Sequence, residues 1–136
     1  MIKTFTSWTC GLFIALFTFM FGRESEILRL LYILIFMMVI DIIVGAINAS
    51  NHREFKLRVI RIGIFKKVST LFIVSIAYQI DKIDFLQGSV FLEKVVILSF
   101  ITYEIISVLN NIEIQGVKIP VIIKNTVAKM LEVFKK

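Results

Sequence analysis

Histidine, cysteine, proline and tryptophan each occur once in these 136 residues. A single cysteine, Cys10, excludes an internal disulfide framework. It lies within an apolar run, so it is expected to pack as a small hydrophobe. His52 sits in a hydrophilic stretch with no second histidine and no cysteine near it, so the ligand set of a metal site is missing. Ser69, Ser75 and Ser107 have no histidine to activate them. The sequence also lacks a glycine-rich phosphate loop, a nucleophile elbow, internal repeats and low-complexity linkers. Neither enzyme chemistry nor a cofactor or metal is expected.

What the chain has in excess is apolar surface. Hydrophobic residues make up 58% of it, and the mean hydropathy is +0.90. An ordinary globular domain is about 45–50% apolar even with glycine counted, and small domains bury the smallest fraction of their surface. Bilayer is the natural solvent for such a chain. The net charge of +6 falls in short blocks between apolar runs, where it suits anionic lipid headgroups rather than nucleic acid.

Four stretches approach the roughly 20 apolar residues that a membrane-crossing helix needs: 5–22, 27–49, 63–80 and 90–109. The first is read as a retained span rather than a leader, because Phe21-Gly22-Arg23-Glu24 offers no small-x-small cleavage site. The second holds fourteen Leu, Ile, Val and Phe residues. These favour insertion by roughly 4–8 kcal/mol, against about 3 for a central aspartate, so Asp41 is tolerable there. The fourth has thirteen such residues but carries Glu93, Lys94 and Glu104. On the same scale it is nearly neutral, and it needs other helices to give its charges partners.

The connections set an orientation. Arg53, Lys56, Arg58, Arg61, Lys66 and Lys67 separate the second and third spans, opposed only by Glu54. Lys118, Lys124, Lys129, Lys135 and Lys136 follow the fourth. The other two connections, 23–26 and 81–84, are short and mixed or acidic. The positive-inside rule then places both termini and the middle loop in the cytoplasm. From Pro120, a good first helical residue, residues 120–136 read as a basic amphipathic tail. Ile123, Val127, Met130, Leu131 and Phe134 share one face, opposite Lys129, Glu132 and Lys136, which suits the inner-leaflet surface, with a partner-binding helix as the alternative. The expected architecture is an all-α integral membrane protein, with about four transmembrane helices in residues 1–119 and this tail.

The polar residues inside the spans carry the remaining information, because a carboxylate in hydrocarbon normally faces other helices or a watery cavity. Asp41, Gly45 and Ala49 stand at i, i+4 and i+8, a charge and two small residues on one face. They form either ordinary close helix packing or an oligomerisation or pore-lining seam. On the fourth span Glu93, Glu104, Ser107 and Asn111 fall within a sector of about 60°. By a rise of about 1.5 Å per residue, Asp41 lies slightly to the cytoplasmic side of the midplane and Glu104 near it. Lys66 and Lys67 enter from the same side. A buried Asp41–Lys66/Lys67–Glu104 network therefore competes with snorkelling of both lysines to the interface.

These residues resemble those of the bacteriophage holin family of the toxin-secretion and phage-lysis type, found in phages and prophages of low-GC Gram-positive bacteria. Its members carry an aspartate, a glycine four residues on and then a small residue, followed by a basic loop ending in Gly-x-x-Lys; here these are Asp41, Gly45, Ala49, Gly63, Lys66 and Lys67. The later element is Glu104-Ile-Ile-Ser107-Val-Leu-Asn110-Asn111, then Gly116 and Pro120. The chain departs from the family at Asn110, often a glutamate, and at Glu54–Phe55, where a serine is usual. The resemblance implies a homo-oligomer in the bacterial cytoplasmic membrane that opens lesions. Endolysin or a large toxin leaves through them without needing direct contact. The competing class is a small ion channel or transporter subunit using Asp41 and Glu104 as a cation path, against which no broken helix or inverted repeat is visible.

Overall fold

A computed structural model describes residues 2–51, 57–83 and 92–135, with backbone alone for 2–9, 51, 57–59 and 135. The described residues form five helices: α1 (Ile2–Phe21), α2 (Ser25–Asn51), α3 (Leu57–Asp81), α4 (Leu92–Ile114) and α5 (Val121–Lys135). Each of the four apolar stretches lies largely within one of the first four. Of the basic residues singled out above, Arg53, Lys56 and Lys136 lie outside the described residues, as do the side chains of Arg58 and Lys135.

The helix ends follow from local chemistry. α1 stops at Gly22, whose φ of 71° is left-handed and whose N–H donates to the Thr18 carbonyl at 2.9 Å. A Cβ there would come within 2.8 Å of the Tyr78 ring, so a larger residue would have to shift that ring as well as adopt the left-handed backbone that glycine takes freely. Gly116 (φ 87°) ends α4. Val117 N–H bonds to the Ile112 carbonyl and Gly116 N–H to that of Glu113, the pairing of a Schellman motif. The Pro120 carbonyl accepts from Ile123 N–H at 3.0 Å, so proline caps α5 and Val121 is its first helical residue.

α4 is the central helix, packing most extensively on α2, then on α3 and α5, while α1 rests on α3. Along α2, Ile27, Leu31, Leu34 and Met38 are buried at the alternating four- and three-residue spacing of a knobs-into-holes seam. Ile97 and Ile101 of α4 join the same core, with Val74 of α3 and Phe21 of α1. α1 and α3 end together, since the Gln79 side chain donates to the Phe19 carbonyl at 2.8 Å. α2 and α4 start together at that same end, where Lys94 pairs with Glu26 at 2.7 Å. Asp81, the last residue of α3, accepts from the N–H groups of Leu92 and Glu93 at 3.3 and 2.9 Å. That carboxylate would be unfavourable at its own helix C-terminus but suits the N-terminus of α4.

Outside this seam the helices are apolar and uncovered. Phe13, Phe19, Phe36, Phe65 and Phe72 are all more than half exposed. An apolar girdle of this extent marks a surface made for a partner or for lipid. Two helices, Ser25–Ser50 and Leu92–Ile114, are long and apolar enough to cross a membrane.

Candidate functional site: a charged cluster at mid-helix

The seam between α2 and α4 changes character halfway along. Continuing the register of Ile27, Leu31, Leu34 and Met38 brings Asp41, Gly45 and Asn48 to the same face of α2. On α4 the register of Ile97 and Ile101 continues into Glu104, Val108 and Asn111, with Gln115 next in line just past the helix end. One half of the seam is therefore hydrocarbon and the other half polar.

Lys67 of α3 closes the polar half. Its Nζ lies 2.9 Å from Asp41 Oδ2 and also pairs with Glu104 Oε2. The three side chains are only 13–16% exposed. Asn111 Nδ2 donates to Asp41 Oδ1 at 3.4 Å, and Asn48 Nδ2 donates to Asn111 Oδ1 at 3.5 Å. Gln115 reaches the Val44 carbonyl at 3.4 Å. A Cβ on Gly45 would make only ordinary contact with the Asn111 amide, at 3.8 Å, so alanine would fit there without moving α2 from α4, and only a larger side chain would part them.

The cluster sits deep along each helix. Asp41, Lys67 and Glu104 lie about 4.5, 3 and 1.5 Å from the midpoints of their helices by a rise of about 1.5 Å per residue. Asp41 and Lys67 are displaced toward the end that carries the polar seam. An unpaired charge at this depth would be expensive; one ammonium shared by two carboxylates, with two amides alongside, is the arrangement that makes it tolerable.

The structure brings together Asp41, Gly45, Lys67, Glu104 and Asn111 of the residues expected from the sequence. It does not bring Lys66 into that group: Lys66 is exposed, because its neighbour on the helix points about 100° away. Ala49 and Ser107 are half-buried along the seam. Glu93 is buried, but it lies in the first turn of α4, about three turns from Glu104. Asn48 was not singled out in the sequence. The signal for it was the four-three spacing from Ile27 onward, which skips Ala49 and selects Asn48.

The tail helix folds back onto α4. Val127 is buried, and Lys124 pairs with Glu113. Between the two helices lies an apolar cavity of about 290 Å³ lined by Ile105, Ile122, Ile123, Thr126, Val127 and Met130. Lys118, Lys124 and Lys129 are exposed.

Comparison with known proteins addresses what such an arrangement belongs to. The profile of the bacteriophage holin family matches residues 15–132. A protein of Bacillus phage phi105, named Probable holin, is 34% identical over 105 residues, covering 77% of this chain and 73% of its own. Uncharacterised proteins of Listeria monocytogenes and Listeria innocua are each 32% identical over 113 residues, covering 83% of this chain and 77% of theirs. No solved structure matches. The likeness read from the spacing of Asp41 to Pro120 is thus met by independent matches over most of the sequence, and the chain belongs to the bacteriophage holin family.

Proposed function

We propose that this protein is a holin of the bacterial cytoplasmic membrane. It accumulates there, oligomerises and opens lesions through which endolysin, or a large toxin, leaves the cell without necessarily touching it. The observation that carries this reading is the family match over residues 15–132.

Four spans fit it best, with residues 120–136 as a basic amphipathic tail docked along the cytoplasmic half of α4. α2 and α4 qualify alone by length and composition. α1 is 20 residues long and α3 is 25, each enough for the hydrocarbon core at about 1.5 Å per residue. A central lysine opposes insertion by about 2.5–3.5 kcal/mol, and the pairing of Lys67 with two carboxylates offsets part of that for α3. Arg53, Lys56, Arg58 and Arg61, like Lys124, Lys129, Lys135 and Lys136, then meet anionic headgroups of the inner leaflet, with both termini in the cytoplasm.

The test is co-expression with a cytoplasmic endolysin lacking a signal peptide. Growth should stop abruptly and the culture should then lyse, while endolysin alone leaves it intact. Loss of membrane potential with a folded endolysin-sized protein retained inside would favour the ion-channel reading, in which Asp41 and Glu104 line a cation path. If neither occurs, both permeabilising readings fail.

A further inference from the structure

Lys66 is left over by the arrangement described above. It stands one residue from Lys67, about 1.5 Å along the helix and 100° around it. It is exposed, and so are Ile62 and Ile73 on the same side of α3. Among the described residues no carboxylate lies within ion-pair distance of it. A lysine facing hydrocarbon at this depth opposes insertion by about 2.5–3.5 kcal/mol, and reaching toward the interface recovers only part of that.

The neighbouring cluster has the opposite excess. One lysine between two carboxylates leaves a formal surplus of one negative charge, in side chains that are still 13–16% exposed. Access exists beside Lys66, since a Cβ added at Gly63 would meet nothing within 4 Å. Within one molecule Lys66 cannot turn into the cluster without displacing Lys67. A second copy can supply it. Copies inserted in one membrane share an orientation, so a two-fold axis along the normal leaves depth unchanged. Lys66 of one copy then meets the other's carboxylates at the level of that copy's own Lys67.

We propose that α3 is a self-association face, on which a second copy of this chain docks isologously and each Lys66 enters the surplus negative charge of its neighbour's Asp41–Lys67–Glu104 cluster. The pairing neutralises both excesses in one contact and is self-complementary, as a two-fold interface must be. The inference rests on the membrane-spanning, self-associating reading given above.

The experiment is oxidative cross-linking in membranes from intact cells, with the full chain in a Cys10→Ser background. Gly63→Cys and Thr70→Cys, which lie between Lys66 and Lys67 around α3, should each give disulfide-linked dimers when introduced one at a time, and Phe36→Cys on the outer face of α2 should not. Adding Lys66→Met should lower the Gly63→Cys dimer yield roughly tenfold, the change expected for about 1.4 kcal/mol, while Lys66→Arg keeps it. Removing an exposed charge does not impede insertion, and membrane content by immunoblot checks this for each variant. Unchanged dimer yield with Lys66→Met would overturn the proposal. So would reaction of Gly63→Cys with an impermeant thiol reagent in place of dimer formation, which would put this face on a watery lumen. Lysis without α3 cross-linking rejects the interface and keeps the holin; α3 dimers without lysis or depolarisation do the reverse.

Discussion

Lys67 holds a position that no other residue on α3 can take. Its ammonium separates Asp41 Oδ2 from Glu104 Oε2, so removing it leaves two carboxylates facing each other in a site with little water. Breaking a buried pair by deleting one partner costs about 3–5 kcal/mol in soluble proteins. The cost here is smaller, because these side chains keep some exposure and α3 can shift. Lys67→Met should therefore destabilise the detergent-solubilised protein more than Glu104→Gln, which keeps the shape and one carboxylate for the lysine. The combined Asp41→Asn/Lys67→Met/Glu104→Gln variant removes every charge and should regain part of the loss, since the terms within one network are not additive. The readout is the monodisperse fraction remaining after a temperature series. A triple variant no more stable than Lys67→Met alone would show that charge balance is not what Lys67 contributes.

At the scale of the helix, hydropathy and spacing made much of the fold legible. The four apolar stretches fall on α1 to α4, and the 100° periodicity of α4 placed Glu104 and Asn111 on one side. What spacing could not supply was the rotation of α3 relative to that side, and so which of two adjacent lysines would meet the carboxylates. Nor could it supply the bond from Asp81 to the first turn of α4, because an aspartate at the end of an apolar run reads equally well as a solvated loop residue. The tail shows the same limit. Its apolar face suits the leaflet surface by spacing alone, yet Val127 is buried against α4, while Val121 and Val133 are exposed on other sides of the helix. α5 therefore has apolar surface left for lipid after docking. A fluorophore on Val133→Cys, in the Cys10→Ser background, should be quenched by brominated lipids in phosphatidylglycerol vesicles. Lys118→Gln with Lys129→Gln should weaken the quenching, since each lysine near an anionic surface contributes about 1 kcal/mol. Quenching of equal strength in uncharged vesicles would mean that the lysines do not hold the tail at the surface.

The whole molecule is polar from end to end in a way that no single helix reveals. One end gathers the close of α1, the start of α2, the close of α3 and the start of α4, joined by Gln79 to Phe19, Lys94 to Glu26 and Asp81 to Leu92. The other end carries the polar half of the seam, the start of α3 and the tail helix. Arg61, Lys118, Lys124 and Lys129 belong to that second end, whereas Arg23, Glu24, Glu26, Asp81 and Lys82 mix both signs at the first. The bundle thus carries its basic excess at one end, and the positive-inside rule then has one orientation to choose. In a Cys10→Ser background, Arg23→Cys at the turn between α1 and α2 should react with an impermeant maleimide on intact cells. Lys118→Cys, just past the Gly116 turn, should react only after the cells are opened. Because α1 and α2 are joined by three residues and α4 runs parallel to α2, the two sites must lie on opposite sides if all four helices cross. Labelling of both from outside would leave α3 or α4 on the surface, and the four-span arrangement would have to be given up even if the protein still lysed cells.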